Sequence, residues 1–392
     1  MMNEPGKILI VFPHNFFELK SGVHKRYYEF ARSLKEKGFT IDLLGLRHFE
    51  SRWENFKTGN TDQLVDRLFL YDFRIGYHLK LVRDFISRLI PFLNIKPSAR
   101  RSQLPDYAFP GMTRMFDKII RNNRYQYVVI GYVYWASLLK KGLPPGTVSI
   151  LTIEDFVSLK LSGTAAGVGS LDAAMEDEAE RVNLFDKAIC LSYEELAYFS
   201  VHAPKPAYFF VPVFMEKPVL VEKEKEFDIL FIGFDNPENM EGLAWFFGQV
   251  FPLLPAGMKI RVVGKVARFS PDLAGVTKTE YVQDLGDVYM KSRVAINPMQ
   301  GGTGMKVKVV ESLAYGIPVV NTPKGLCGMP PGLLKEFIVA GDPQSFAAEL
   351  TRLLTDQVWY AKKCGEAEKI FAACFDTAVA GKKLDEIFSR NQ

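Results

Sequence analysis

The chain begins with short apolar runs that alternate with longer amphipathic stretches. Lys7–Phe12 is almost wholly apolar, which is typical of a strand buried on both faces. From Ser21 onward, apolar residues recur every three or four positions, and this spacing predicts a helix that stops at Gly38. Thr40–Leu46 predicts the next strand. Strand, helix and strand in this order indicate a βαβ unit of a parallel sheet.

The same alternation continues, breaks once and then restarts. The later strands predicted before the break are Tyr127–Ile130, Val148–Ile153, Asp186–Ser192 and Ala207–Val211. The break is Pro212–Lys225, which holds two prolines and a charged KEKE stretch. After it we predict a helix at Met240–Leu254 and strands at Phe227–Gly233, Lys259–Gly264, Tyr281–Val282, Val294–Asn297 and Ile317–Asn321. The pattern predicts two doubly wound α/β domains, at 1–214 and 215–375, followed by a helix over about 376–392.

Composition narrows the class of protein. Of 392 residues, 48% are hydrophobic and 24% are charged, an ordinary globular balance that excludes a disordered or collagen-like chain. No apolar run reaches 18 residues, and the apolar start is too short for a signal peptide, so we expect a cytoplasmic protein. The cysteines show no CxxC spacing, so neither a disulfide framework nor a structural zinc site is expected. The net charge of +4 is too small to indicate nucleic-acid binding.

Positive charge is concentrated in one segment. Residues 74–103 hold seven Lys or Arg and one Asp, and residues 79–93 have an apolar face opposite a basic face. A basic amphipathic helix suits an anionic membrane surface, which would place the protein at the inner face of the membrane. The alternative is a helix packed on the sheet with a solvated basic face. The membrane-surface candidates are Lys80, Arg83, Arg88, Lys96, Arg100 and Arg101.

The stretch 294–328 carries the clearest chemistry. It predicts a strand, a glycine loop at 301–304, a helix at 305–315 and another strand. A glycine loop at a helix N-terminus presents backbone N–H groups and the positive end of the helix dipole, which favours a phosphate or diphosphate. Lys306 and Lys308 stand in the first turn, where lysine opposes the dipole, and a bound anion would explain them. The stretch fits neither the G-x-G-x-x-G fingerprint nor a P-loop.

Glu311 extends this site along the helix. It follows Gly304 by seven residues, so it is predicted on the same face and about 10 Å further along the axis. A carboxylate accepts two hydrogen bonds well, so Glu311 could hold both ribose hydroxyls of a nucleotide whose diphosphate lies at the glycine loop. The alternative is a surface helix with solvated Glu and Lys side chains.

The stretch Gly302–Gly328 resembles the nucleotide-sugar site of group 1 (family 4) glycosyltransferases, which have the GT-B fold. The resemblance extends to Phe231–Phe247, to Val282–Leu285 and, in the N-terminal half, to the turn at Ser21–His24. It implies two Rossmann-like domains that face a cleft, with the last helix crossing back to the first domain. The donor-binding residues it implies are Gly22, Gly233, Val282, Gly302, Thr303, Gly304, Lys306, Lys308 and Glu311.

The resemblance also implies an activity. It is a retaining, metal-independent transfer of a hexose-type sugar from a nucleotide-sugar to a glycan or lipid-linked acceptor, with no cofactor and no metal. Such an activity belongs to surface polysaccharide or glycolipid assembly. The chain has no Asp-x-Asp motif, which agrees with metal independence.

The chain departs from the family pattern at several positions. Thr303 stands where many relatives have the first of two acids, and Phe234 and Glu241 replace a common Arg and Lys. The N-domain histidine has no clear match, so the catalytic candidates are Asp155, His24 and Lys308. Asp155 could instead be a helix N-cap, and His24 a solvated first-turn residue. A nucleotide-sugar epimerase and a non-catalytic nucleotide-sugar-binding subunit remain alternative functions.

Overall fold

A computed structural model describes residues 6–19, 22–47, 52–72, 103–162, 170–221 and 223–389. The chain divides into two compact units. The first unit comprises residues 1–190 and 195–210, and the second comprises residues 191–194 and 211–392. The last change of unit along the chain, between residues 210 and 211, lies close to the predicted break in composition.

The described part of the first unit is built on one parallel sheet. Its strands are β1 Lys7–Val11, β2 Thr40–Arg47, β3 Arg67–Asp72, β4 Tyr127–Gly131, β5 Val148–Ile153, β6 Lys187–Cys190 and β7 Ala207–Phe210. They lie in the order β3-β2-β1-β4-β5-β6-β7. Its helices are Gly22–Glu36, Phe56–Gly59, Pro110–Arg121, Val157–Ser162, Leu171–Val182 and Tyr193–His202, the last of which begins in residues of the second unit.

Burial explains why the first strands are continuous apolar runs. Ile8, Leu9 and Ile10 are fully buried, and Ile10 pairs in parallel register with Leu43 of β2 and with Val129 of β4. Strand order reverses between β1 and β4, and ligands of open α/β sheets bind at the carboxyl ends of the strands beside such a point.

The second unit repeats the plan with a second parallel sheet in its described part. Its strands are β8 Phe227–Ile232, β9 Ile260–Val263, β10 Val276–Thr279, β11 Ser292–Asn297, β12 Val319–Asn321 and β13 Ile338–Val339. They lie in the order β10-β9-β8-β11-β12-β13, with the reversal between β8 and β11. Its helices are Pro237–Trp245, Leu285–Met290, Val307–Ala314, Pro343–Thr355, Gln357–Cys374 and Thr377–Phe388.

Several predicted elements differ from the observed ones. The strand predicted at Tyr281–Val282 is wrong, because β10 ends at Thr279 and Tyr281 is exposed. The helix predicted from Met240 begins at Pro237, because the Asn236 side chain caps it by accepting a hydrogen bond from the Asn239 N–H. Strands β3, β10 and β13 were not predicted, since each is short or only partly apolar.

Two parallel α/β sheets confirm the predicted fold class. The terminal helix Thr377–Phe388 groups with the second unit, and its crossing to the first domain stays a prediction. In the part of the chain that the structure describes, no helix is both long and apolar enough to span a membrane.

Candidate functional site

The glycine loop after β11 has the backbone shape that its sequence demands. Gly302 and Gly304 have φ values of 89° and 70°, in the left-handed region that residues with a Cβ rarely adopt. Gly328 packs directly on the loop, since a Cβ at that position would lie 2.6 Å from the Met305 backbone nitrogen. Glycines are therefore needed both in the loop, at Gly302 and Gly304, and in the segment that packs on it, at Gly328.

Lys306 ends the loop and begins the helix. Its ammonium donates to the carbonyl oxygens of Thr303 and Gly304, both at 2.9 Å. Its extended backbone, with ψ of 106°, makes it the N-cap, so the helix runs Val307–Ala314 and begins two residues later than predicted. The Val309 N–H donates to the carbonyl oxygen of the N-cap Lys306 at 3.0 Å. The N–H groups that precede it at this helix end, together with the positive end of the helix dipole, suit an anion.

Lys308 lies in the first helical turn and points toward the helix that follows β8. Its Nζ donates to Asn239 Oδ1 at 2.7 Å and lies 4.4 Å from the centre of the Phe231 ring. Burial first, and the positive charge of Lys306 second, lower the pKa of Lys308 to about 7 against the opposing effect of Glu311. A bound diphosphate would restore the charged form.

Asn239 is fixed by its own helix. Its N–H donates to the Asn236 side chain, and its side-chain amide donates to the Phe234 carbonyl oxygen at 3.0 Å. A Cβ on Gly233 would come within 2.9 Å of the Asn239 side chain, so glycine is required where β8 ends. Gly233, predicted to bind the donor, therefore leaves room for Asn239, whose side chain accepts the hydrogen bond from Lys308.

Glu311 is buried, with 8% of its surface exposed, in contrast to the solvated side chain of the alternative interpretation. Its Oε2 accepts a hydrogen bond from the Tyr289 hydroxyl at 3.0 Å. The Tyr289 ring stacks on Tyr315 with ring centres 4.8 Å apart, which fixes the hydroxyl. Burial and the neighbouring Glu311 carboxylate raise the pKa of Tyr289, so this tyrosine stays a hydrogen-bond donor.

Two carboxylates border the glycine loop. The Glu238 side chain lies 3.2 Å from where a Cβ on Gly302 would stand, and a Glu241 oxygen lies 3.7 Å from the same position on Gly301. Phe234, in the place of a family arginine, is 52% exposed. Positive charge at this loop therefore comes from Lys306 and Lys308, against two acids.

The remaining donor candidates of the second unit differ in exposure. Thr303 is exposed on the loop, whereas Val282 is partly buried and packs against the core. Two residues after Val282, the Asp284 side chain caps the helix Leu285–Met290 by accepting from the Gly286 N–H at 2.8 Å.

The first-unit candidates occupy the carboxyl edge of their own sheet. His24 is buried in the first turn of the helix that Gly22 begins, with its ring centre 5.6 Å from that of His14. Asp155 accepts a hydrogen bond from Lys160 at 2.8 Å. The alternative role of Asp155 as a helix N-cap is wrong. The N–H groups of Val157 and Ser158, which begin the helix Val157–Ser162, donate to Glu178 instead.

Some predictions lie outside what the structure describes. The six basic residues proposed for a membrane surface fall within the undescribed residues 73–102. Among the described residues, no group of three His, Cys, Asp or Glu side chains is placed to hold a metal ion, and metal independence stays a prediction.

Two residues of the site were not predicted. Asn239 carries a weak signal, since it stands in the first turn of a helix that follows a strand and a proline. Tyr289 carries none, because a tyrosine in a short apolar helix resembles any core residue.

The second unit matches a known protein family. The model of the family described as Glycosyl transferases group 1 matches residues 226–356, within the second unit. A curated Klebsiella pneumoniae protein, described as an uncharacterized 44.6 kDa protein in a cps region, is 24% identical over 139 residues. That match covers 31% of this chain and 36% of the relative, so it spans little more than a third of the relative's length.

Solved structures align along nearly the whole chain. Sucrose-phosphate synthase from Thermosynechococcus elongatus is 14% identical with a TM-score of 0.68, and the alignment covers 98% of each chain. HepE from Anabaena, in complex with UDP and glucose, is 12% identical with a TM-score of 0.63 over 98% of this chain and 99% of that one. At these identities the similarity shows the fold, which confirms the predicted GT-B class.

Proposed function

We propose that this chain, a group 1 glycosyltransferase by the match of residues 226–356, moves a sugar from a nucleoside-diphosphate sugar to a glycan or lipid-linked acceptor. The proposed transfer is retaining and uses neither metal nor cofactor. The observation that carries the proposal is the arrangement of one glycine loop, two lysines and one buried carboxylate along a single helix.

The diphosphate is proposed to bind at the loop 301–304. Backbone N–H groups of the loop and of the first helical turn would meet the phosphate oxygens, and Lys308 would add one positive charge. When the sugar bond breaks, negative charge grows on the leaving diphosphate, and groups already aimed at it stabilise that charge. Lys306 contributes mainly by binding the carbonyl oxygens of Thr303 and Gly304, which fixes the conformation of the loop.

The ribose is proposed to bind at Glu311. The Tyr289 hydroxyl donates to Glu311 Oε2. A carboxylate has about four acceptor positions, so Glu311 is suited to accept from ribose hydroxyls as well. From Val307 to Glu311 the rise is about 6 Å, which fits a ribose next to a diphosphate at the helix end.

The proposed donor and pathway are supported by the relatives. The HepE structure contains UDP and glucose, so a UDP-hexose is the first donor to test. The Klebsiella relative is described from a cps region, which favours polysaccharide biosynthesis. The basic segment 74–103 favours work at the inner membrane face on a lipid-linked acceptor, and sedimentation with anionic vesicles tests this part.

The donor site is tested by ligand-dependent thermal stability. UDP, GDP, ADP and CMP are compared on the wild type and on Glu311→Gln, since a ligand that binds the folded state raises the midpoint. Glutamine keeps an acceptor for Tyr289 while it removes the charge. We expect one nucleoside diphosphate to stabilise the wild type and the variant to lose most of the shift.

A deoxy analogue sharpens this test. The 2′-deoxy form of the selected diphosphate should bind about tenfold more weakly to the wild type and about equally to Glu311→Gln, because only the wild type reads that hydroxyl. Equal binding of both forms to the wild type would remove the ribose assignment. Transfer is then followed by NMR of the anomeric proton, and binding without turnover with any acceptor would favour the non-catalytic subunit.

A further inference from the structure

The carboxyl edge of the first sheet holds a buried ion pair that the proposed donor site does not use. Glu154 follows β5 directly, and β5 lies next to β4, where the strand order reverses. Arg26 belongs to the second turn of the helix that follows β1. Ligands of open α/β sheets bind at this edge.

The two side chains are paired through one oxygen of the carboxylate. Arg26 donates to Glu154 Oε1 at 2.5 Å, and the exposed fractions of the two side chains are 4% and 0%. In the described part of the chain, Glu154 Oε2 is buried and accepts no hydrogen bond. Buried carboxylate oxygens in proteins nearly always accept a hydrogen bond. We therefore look for the donor to Glu154 Oε2 outside the described part of the chain.

Tyr132, at the carboxyl edge of the same sheet, has an unusual backbone conformation. It follows β4 with a φ of 69°, a strained conformation for a residue with a side chain, and such strain concentrates at functional sites. Its ring lies nearly parallel to that of Phe12, with centres 6.2 Å apart. Burial raises the pKa of Tyr132, and the Glu154 and Asp155 carboxylates raise it further, so the hydroxyl lies within their field and remains protonated.

We propose that Glu154 Oε2 accepts a hydrogen bond from a sugar hydroxyl, and that Arg26 is the positioning residue that aims this oxygen. The pair is neutral as a whole, so a charged ligand would be desolvated without compensation, whereas a neutral hydroxyl gains a charge-assisted hydrogen bond. This rests on the proposed function, because the hydroxyl belongs to the transferred sugar or to the acceptor.

The test uses the full chain and a panel of methyl glycosides of glucose, galactose, mannose and N-acetylglucosamine. Binding is measured by saturation-transfer NMR on the wild type, on Glu154→Gln and on the control Glu29→Gln, whose carboxylate pairs with Arg32 on the same helix as Arg26. Glutamine still accepts from Arg26 through its one carbonyl oxygen, and it then places the amide NH2, a donor, where Oε2 stands in the wild type. We expect one glycoside to bind about tenfold more weakly to Glu154→Gln and unchanged to the control.

Monodeoxy forms of that glycoside identify the hydroxyl. One deoxy form should bind weakly to the wild type, and its relative loss should disappear in Glu154→Gln. If Glu154→Gln fails to fold, Arg26→Met/Glu154→Leu removes both charges together and carries the same expectation. Comparing UDP-glucose with UDP on these variants tells the transferred sugar from the acceptor.

Failure here is separable from failure of the donor site. Unchanged glycoside binding in Glu154→Gln, or no glycoside binding while UDP still stabilises the protein, would overturn the assignment of Glu154 and leave the proposed function in place. If none of UDP, GDP, ADP and CMP stabilises the wild type, the donor site itself is overturned.

Discussion

Lys308 donates its ammonium hydrogen bond to Asn239 Oδ1 at 2.7 Å, and so a neutral amide faces the lysine where a carboxylate would have held its charge. With a pKa near 7, set first by burial and then by Lys306, this lysine is half neutral in the ligand-free protein at neutral pH. An anion bound next to Lys308 would shift this lysine toward its charged form.

Proton uptake on donor binding is the first prediction. A diphosphate favours charged Lys308, so at pH 8 binding should take up close to one proton, and affinity should fall about tenfold per pH unit from 7.5 to 9. Calorimetry of UDP binding in two buffers with different ionisation enthalpies measures the proton. Lys308→Met is the control and should show weak binding with little uptake, and equal uptake in both proteins would contradict the role of Lys308.

The same group affects stability in a fixed direction. The pKa of Lys308 in the folded protein is about 7, below the 10.5 of a free lysine, so the unfolded chain binds the proton more tightly. The ligand-free protein should therefore lose stability as pH falls from 10.5 toward 7, and Lys308→Met should lack this part of the profile. Urea unfolding across that range checks the difference.

The glycine loop gives a prediction about shape. Gly304→Ala adds a Cβ that meets nothing within 4 Å, so it should destabilise the fold by only about 1–2 kcal/mol, the penalty of its φ of 70°. Gly257→Ala, with φ of 85° and the same open space, is the matched control. Both should unfold alike in urea, but only Gly304→Ala should weaken UDP binding, and equal UDP affinity in the two variants would remove the loop from the site.

Gly328 differs because space as well as conformation is lacking. An added Cβ would lie 2.6 Å from the Met305 nitrogen and 2.9 Å from the Gly304 carbonyl carbon, so the two loops must separate. Gly328→Ala should therefore lower the free energy of unfolding by about 3 kcal/mol or more, which is a larger loss than in Gly304→Ala or Gly257→Ala. A urea midpoint equal to that of Gly304→Ala would show that the loops are not held together here.

Glu241 provides a variant expected to improve the site. Its carboxylate borders Gly301, where a bound diphosphate would be repelled. Glu241→Gln should strengthen UDP binding by about two- to fivefold at low salt, and the gain should shrink at 1 M salt because exposed charges are screened. Glu224→Gln, an exposed carboxylate of the linker, is the control. Weaker UDP binding in Glu241→Gln would indicate that this carboxylate contacts the ligand.

Local pattern predicted most of the fold, because parallel strands are buried on both faces and appear as apolar runs. Val148–Ile153 was predicted to the residue, whereas β13 has two residues and leaves no pattern. The helix start at Val307 was missed by two positions, since it depends on the extended backbone of Lys306 and on carbonyls that its own side chain binds.

The candidate site was predictable only where chemistry follows local spacing. The loop, Lys308 and Glu311 belong to one segment, so the sequence shows them together. Asn239 lies 69 positions from Lys308, and Glu154 lies 128 positions from Arg26. Such pairs form only when strand order brings them to one edge of a sheet, and a single sequence does not encode that proximity in any local pattern.

The Arg26–Glu154 pair gives the last prediction, on stability. Removing one partner leaves a buried charge without compensation, so Arg26→Met alone should destabilise the protein by about 3–5 kcal/mol. Arg26→Met/Glu154→Leu removes both charges and should recover most of that loss, because well-packed apolar side chains often replace buried ion pairs at little cost. Urea unfolding of the wild type, Arg26→Met, Glu154→Leu and the double variant gives a double-mutant cycle, which measures the coupling between the two charges. Additive losses in the double variant would mean that the two charges are not coupled, and Arg26 would then have no part in positioning Glu154.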